Sequence, residues 1–135
     1  MIHKIVSQCA QMWPREVFDI KEGNRLLTNV RDLLAEPGVY VLYRDDHPYY
    51  IGKTAGILFN RIWAHANRPK DKYYNFWNFF SAFVVPEQEH IGEVEGLLIA
   101  AMPLTANSAN PRIKRIHLPN NVGKILRKLR RIEPE

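Results

Sequence analysis

A segment near the middle of the chain constrains the fold more than any other part of the sequence. Gly38–Arg44 is rich in β-branched and aromatic residues, which favours a strand that is apolar on both faces. Asp45-Asp46-His47-Pro48 is typical of a turn, and Tyr49–Gly52 reads as a second short strand. The pattern predicts a β-hairpin in which Tyr40 and Tyr50 lie roughly opposite each other on one face. A simple pair of core phenols is the alternative interpretation.

The rest of the chain predicts several helices and one further strand. The helices are expected over residues 1–13, about 21–35, about 55–66, about 89–102 and about 121–131, and the strand over residues 79–85. The order of these elements indicates the α+β fold class, with a small and mainly antiparallel sheet.

Charge is unevenly distributed along the sequence. Residues 113–135 hold seven cations and two acids, which accounts for the whole net charge of +5. These cations are Lys114, Arg115, Lys124, Arg127, Lys128, Arg130 and Arg131. A neutral body with a basic tail favours contact with a polyanion such as nucleic acid. A solvated terminal helix that only aids solubility is the alternative.

Other features exclude whole classes of protein. Cys9 is the only cysteine, so an intramolecular disulfide is excluded and a zinc–thiolate cluster is disfavoured. The sequence has no apolar run of about 18 residues and no signal-peptide profile, so we expect a cytoplasmic protein without a membrane partner. Gly52-Lys53-Thr54 is similar to the end of a phosphate-binding P-loop, but His47 stands where that motif requires glycine. No nucleotide cofactor is therefore expected.

Glu95 occupies an unusual place in the helix predicted over residues 89–102. Ile91, Glu95, Leu98 and Met102 recur at the spacing of one buried stripe. No Lys or Arg lies one turn from Glu95 in either direction, so a buried carboxylate there requires a cation, hydrogen bonds or protonation. The alternative is that Glu95 lies at the edge of the stripe and reaches water.

Arg61 and His65 form a second candidate pair. They are four residues apart and share one face of the helix predicted after the hairpin, opposite Leu58, Ile62 and Trp63. An exposed polar face is the alternative interpretation.

The region from residue 73 to residue 83 is unusually aromatic. Its aromatic members are Tyr73, Tyr74, Phe76, Trp77, Phe79, Phe80 and Phe83. We interpret them as a core strand with a hydrophobic flank, and platforms for stacking nucleic-acid bases are the alternative. The remaining histidines, His3, His47, His90 and His117, show no metal-ligand spacing.

Taken in order, these residues resemble the motifs of the GIY-YIG nuclease family. The matching elements are Gly38-Val39-Tyr40, Tyr50-Ile51-Gly52 with Lys53, Arg61 with His65, and Glu95 followed twelve residues later by Asn107. Valine replaces isoleucine in the first triplet. The resemblance implies a compact sheet of three antiparallel strands flanked by helices over residues 36–112. Residues 1–35 would then form an N-terminal helical extension, and residues 113–135 a basic C-terminal helix.

The resemblance also implies an endonuclease that depends on Mg²⁺ or Mn²⁺. Glu95 is expected to hold the metal and Arg61 to clamp the phosphate. Tyr40 is the expected general base, with Tyr50 as its alternate or orienting partner and with Lys53 and His65 assisting. Asn107 is expected to support the site near Glu95, with Asn110 as a rival.

The expected partner is nucleic acid, with DNA favoured over RNA. A module that binds nucleic acid without cleaving it and a protein-interaction domain are the alternatives. The sequence leaves the oligomeric state open.

Overall fold

A computed structural model describes most of the chain, and the described part contains six strands and four α-helices. The described residues are 4–19, 21–22, 25–26, 28–74, 76–102 and 116–132. Within them the strands are β1 (Gln8–Pro14), β2 (Lys21–Glu22), β3 (Arg25–Leu26), β4 (Gly38–Arg44), β5 (His47–Thr54) and β6 (Phe79–Val84). The α-helices are α1 (Thr28–Leu33), α2 (Leu58–Asn67), α3 (Ile91–Ala101) and α4 (Asn120–Ile132), and short 3₁₀ helices span Arg15–Phe18 and Gln88–His90.

The main sheet has four antiparallel strands in the order β1–β6–β4–β5. The predicted α+β class is confirmed, and the sheet has one strand more than the three that were predicted. The central hairpin, the strand after α2 and the helix that contains Glu95 all form where the sequence predicts them. β5 lies at one edge of the sheet and β1 at the other.

The prediction of a helix over residues 1–13 is wrong, because Gln8–Pro14 forms strand β1. β1 pairs with β6, whose backbone would otherwise present a free edge, and Ala10 packs into the core. Pairing with a strand so distant along the chain outweighs a weak local helix preference. The ladder is interrupted between Ala10 and Trp13, where Met12 adopts a positive φ of 52°.

The helix predicted over residues 21–35 is too long. Lys21–Glu22 pairs with Arg25–Leu26 as a two-stranded ribbon, and among the described residues of this region only Thr28–Leu33 is helical. The ribbon uses the backbone groups that a longer helix would need for its own hydrogen bonds.

Apolar side chains cover both faces of the sheet. On one face Tyr40 and Leu42 of β4 pack against Leu58 and Ile62 of α2. On the other face Val39, Val41 and Ile51 pack against α3 through residues that include Ile91 and Leu98. Consecutive residues of β4 therefore face different helices, as the pleat of a strand requires. None of the described helices is long and apolar enough to cross a membrane.

Candidate active site

A β-bulge in the central hairpin brings Tyr50 to the same face as Tyr40. The hairpin pairs Tyr43 with Pro48 but Leu42 with Tyr50, so one extra residue is inserted in β5. A regular hairpin would place Tyr50 opposite Val41, whose side chain faces α3, because a shift of one residue reverses the face. The bulge moves Tyr50 to the α2 side instead.

The two phenols are therefore neighbours, although not directly opposite. Tyr40 pairs with Gly52, and Tyr50 lies diagonally from Tyr40 with 6.2 Å between the ring centroids. The prediction that both residues share one face agrees with this arrangement, and the predicted direct opposition is replaced by a diagonal one.

His65 joins Tyr40 to an acidic residue that the sequence motifs did not include. Its Nε2 atom lies 2.8 Å from the hydroxyl of Tyr40, and its Nδ1 atom lies 2.8 and 2.9 Å from the two carboxylate oxygens of Asp71. An ionised carboxylate can only accept hydrogen bonds, so it favours the tautomer with hydrogen on Nδ1. Nε2 of His65 then accepts the hydroxyl hydrogen of Tyr40.

Asp71 lies in the turn after α2, six residues beyond His65. This short separation along the chain is the only sequence signal for its role. Its Oδ1 atom also accepts a hydrogen bond from the backbone N–H of Tyr73, at 2.9 Å. The same carboxylate therefore fixes the turn and orients His65, which is itself buried.

Arg61 lies on α2 one turn before His65 and interacts with the same phenol. Burial raises the pKa of Tyr40, the neighbouring Tyr50 raises it further, and a hydrogen bond from Arg61 only partly opposes this rise. The same hydrogen bond raises the pKa of Arg61, so the guanidinium remains charged. Tyr40 is therefore a neutral phenol at neutral pH, held between a cation and an imidazole.

Tyr50 differs from Tyr40 in its access to solvent. Tyr40 has 0% exposure, whereas Tyr50 is only half-buried. Burial and then Tyr73 raise the pKa of Tyr50, while the charge of Arg61 lowers it. Of the two linked phenols, Tyr50 is the one that a water molecule can reach.

Glu95 obtains its compensating cation from the sheet rather than from its own helix. Its Oε1 atom lies 3.2 Å from Nζ of Lys53 on β5, and its side chain is 16% exposed. Ile91, Leu98 and Met102 of the same stripe pack against the core as predicted. Glu95 also raises the pKa of Tyr50 through its charge, after the larger effects of burial and Tyr73.

The surroundings of Glu95 suit a hard divalent cation. Among the described residues Lys53 is its one ion-pair partner, so the carboxylate has further lone pairs for a metal. A cavity of about 420 Å³ opens beside Lys53, between the end of β5 and the start of α3, but its lining residues do not include Glu95. A single carboxylate with unused lone pairs is a suitable ligand for a cation such as Mg²⁺, which retains several waters and takes other oxygen ligands from a substrate.

The roles predicted for the remaining residues stay predictions. Asn107, its rival Asn110, Lys114 and Arg115 lie outside the described residues. Lys124, Arg127, Lys128 and Arg130 are exposed on α4, and Arg131 belongs to the same helix. The predicted role of this helix in binding nucleic acid stays a prediction.

A second group of possible metal donors lies at the surface. Glu87, Glu89 and His90 place their donor atoms within 4.8 Å of one another. His90 forms ion pairs with both acids, at 3.3 and 3.6 Å, and both acids are exposed. These ion pairs account for the grouping without a metal.

No family model and no curated protein matches the chain. Its fold is similar to solved structures of the GIY-YIG N-terminal endonuclease domain of UvrC from Thermotoga maritima. One point mutant, bound to its catalytic divalent cation, is 26% identical, with a TM-score of 0.50 over 67% of this chain and 100% of the domain. A second point mutant, also bound to its cation, is 27% identical, with a TM-score of 0.49 over 65% of this chain and 99% of the domain.

Proposed function

Because this chain belongs to the GIY-YIG nuclease family, we propose that it is an endonuclease that uses a divalent cation, Mg²⁺ or Mn²⁺, at Glu95. The substrate is nucleic acid, with DNA favoured over RNA, and the reaction is hydrolysis of a phosphodiester bond. The observation that carries the proposal is a linked cluster of polar side chains from three elements. Tyr40 and Tyr50 come from the hairpin, and Arg61 and His65 come from α2. Glu95 of α3 is connected to the hairpin through its ion pair with Lys53.

The cluster provides a path for the proton of the attacking water. Tyr50 takes this proton while its own hydroxyl hydrogen moves to Tyr40, and the hydrogen of Tyr40 moves to Nε2 of His65. The imidazolium that forms is stabilised by Asp71 at 2.8 Å. This relay avoids a free tyrosinate at position 40, which burial makes costly. The oxygen of the water forms a bond to phosphorus as the bond from phosphorus to the departing sugar oxygen breaks.

Arg61 is the residue that best fits the phosphoryl group. One of its five N–H donors serves Tyr40, and the exposed remainder can bind non-bridging phosphate oxygens. Losing such a clamp is expected to reduce the rate by about 10²–10³-fold, as does the loss of an oxyanion donor. Lys53 balances the charge of Glu95 and presents its ammonium at the same edge of the sheet.

A divalent cation held by Glu95 would stabilise negative charge on the phosphoryl and departing oxygens. The cations of α4 would add binding to phosphates that is independent of sequence and weakens with salt, with a log–log slope of about −0.9 per phosphate neutralised. A reducing, cytoplasmic setting fits the free and exposed thiol of Cys9.

A plasmid-nicking assay tests the proposal. Wild type is expected to convert supercoiled DNA to open circles with Mg²⁺ or Mn²⁺ and to stop when EDTA is added. Glu95→Gln is expected to be inactive, because an amide binds a divalent cation far less well than a carboxylate does. Glu93→Gln is the matched control, since Glu93 is an exposed acid on the same helix, and it should nick like wild type.

Two results would contradict the proposal. The first is a Glu95→Gln variant that nicks as fast as wild type. The second is a wild type that cleaves neither DNA nor RNA but binds them in a salt-dependent manner, which would indicate a non-catalytic nucleic-acid-binding module.

A further inference from the structure

A surface formed by aromatic rings and cations extends from the candidate active site. Tyr73 stacks on Tyr50 with 4.3 Å between ring centroids, and its edge meets Tyr49 at 6.1 Å. Tyr49 in turn stacks on Phe76 at 5.6 Å with an interplanar angle of 1°. Three successive ring contacts thus connect the half-buried phenol of the site to an exposed ring.

Phe76 is the one member of this series that is largely open to solvent. It is 53% exposed, whereas Trp77 and Phe80 nearby are buried in the core. The aromatic region predicted as core is therefore divided between core and surface, and Phe76 belongs to the surface part. The ring of Phe76 is therefore available to a partner.

The bulge that reorients Tyr50 also explains why Tyr49 reaches this surface. Tyr49 and Tyr50 are consecutive, yet both pack on the α2 side of the sheet. The inserted residue lets two neighbouring side chains point to one side, which a regular strand does not allow. The hairpin thereby supplies Tyr50 to the active site and Tyr49 to the surface on which Phe76 stacks.

Three cations lie directly before Tyr73 along the chain. Arg68, Lys70 and Lys72 are exposed in the turn after α2, and Nζ of Lys72 lies 5.5 Å from the ring centroid of Tyr73. The only acid between them, Asp71, is engaged by His65. The surface therefore combines positive charge with an open aromatic face, the combination that binds single-stranded nucleic acid.

Hydrogen bonds fix the aromatic platform formed by Tyr49, Tyr73 and Phe76 before any partner binds. The backbone N–H of Phe76 donates to the carbonyl of Tyr73 at 3.1 Å, and that of Asn78 donates to the carbonyl of Tyr43 at 2.9 Å. Asn78 also exchanges two hydrogen bonds with Asp45 in the hairpin turn, at 2.7 and 2.9 Å. A preformed platform loses little entropy when a ligand stacks on it.

We propose that Phe76, supported by Tyr49, stacks on an unpaired base of the nucleic acid while Arg68, Lys70 and Lys72 meet its phosphates. The proposal rests on the proposed endonuclease function and names its substrate class: nucleic acid with a single-stranded segment beside the bond that is cut. Bases within a duplex already stack on both neighbours, so only an unpaired base offers a free face. The three ring contacts connect Phe76 to Tyr50, so the stacked base would lie within a few nucleotides of the bond that is cut.

The test uses the full chain with Glu95→Gln, which holds substrate without cutting it. The probes are a duplex with a single-stranded overhang and the same duplex with blunt ends, and 2-aminopurine is placed at successive overhang positions. We expect tighter binding to the overhang and quenching of the fluorophore at one position. Adding Phe76→Ala should remove that quenching and weaken overhang binding by about 5- to 150-fold, the range that stacking of one base provides, with blunt-duplex binding unchanged.

Two controls separate stacking from folding. Leu97→Ala removes another exposed apolar side chain, 60% exposed on α3, and should change neither signal. Phe76→Trp should restore quenching, because indole also stacks on bases, which a merely structural role for Phe76 does not predict.

Three outcomes would overturn the inference. One is equal affinity for the overhang and blunt probes, and another is unaltered quenching in Phe76→Ala. The third is self-association of the protein that Phe76→Ala abolishes while nucleic-acid affinity stays the same. In each of these cases wild type would still nick DNA in the metal-dependent assay. Failure of the proposed function would instead appear as a wild type that cleaves neither the plasmid nor either probe.

Discussion

Gly52 lies directly across the hairpin from Tyr40, and the ring of Tyr40 fills the space that a side chain at position 52 would need. A Cβ atom at this position would overlap both the ring and the hydroxyl of Tyr40. Tyr40 is fully buried and hydrogen-bonded to His65, so it has no room to move aside. The glycine of the second motif triplet is therefore required by the close approach of a tyrosine.

This contact predicts the effect of Gly52→Ala. The added methyl group should destabilise the fold by about 1–3 kcal/mol through overpacking, and it should slow nicking because Tyr40 is displaced from His65. Urea unfolding measures the first effect and the plasmid assay the second. Gly92→Ala is the matched control, since a Cβ there meets nothing within 4 Å, and it should leave both unchanged or raise stability slightly. Equal stability of Gly52→Ala and wild type would show that Tyr40 does not occupy this space.

The proton relay predicts that the two phenols act as one unit. Tyr50→Phe removes the group that meets water, and Tyr40→Phe breaks the link to His65. Each single variant should reduce the single-turnover cleavage rate by about 10²–10⁴-fold, the usual contribution of general acid–base catalysis. The double variant should be about as slow as either single variant, because a broken chain gains nothing from a second break. Multiplication of the two single effects would instead show independent roles.

Those parts of the fold that depend on neighbouring residues were predictable from the sequence. The hairpin follows from strand-forming residues on either side of Asp45-Asp46, and the face shared by Arg61 and His65 follows from helical spacing. The family resemblance then selected the residues that form the cluster.

Those features that depend on distant or irregular pairing were not predictable. β1 forms because β6 offers an edge far along the chain, and no local pattern indicates that partner. The bulge has no marker in the hairpin sequence, although it decides which face Tyr50 joins. Lys53 of β5 balances the charge of Glu95 on α3. Helical spacing indicates only partners one turn away on the same helix, so it could not predict this pair. The contact of Asp71 with His65 depends on the conformation of the turn after α2, which the sequence did not predict.

Asp71 is predicted to be a positioning residue that acts through His65. Asp71→Asn should keep the turn, because the amide oxygen can still accept from the N–H of Tyr73. Its NH₂ group can also donate to Nδ1 of His65, which places hydrogen on Nε2 and removes the acceptor for Tyr40. We therefore expect kcat to fall by about 10²-fold or more while KM and thermal stability change little.

A matched variant controls for the loss of charge in Asp71→Asn. Asp46→Asn makes the same chemical change on a side chain that is 88% exposed in the hairpin turn, and it should leave kcat unchanged. An Asp71→Asn variant with normal kcat would show that Asp71 serves only the turn, and a large rise in KM without loss of kcat would indicate a role in binding.

The buried phenol of Tyr40 predicts how stability depends on alkaline pH. Burial raises the pKa of Tyr40 above its ordinary value of 10.0, so above pH 10 the unfolded chain loses a proton that the native state retains. The free energy of unfolding should therefore be insensitive to this group below pH 10 and should fall as the pH rises further, by up to about 1.4 kcal/mol per pH unit. Tyr40→Phe removes the titrating group, and its stability should decline less steeply over the same range. Urea unfolding at several alkaline pH values compares the two slopes, and parallel slopes for wild type and Tyr40→Phe would show that Tyr40 ionises as easily in the native protein as in the unfolded chain.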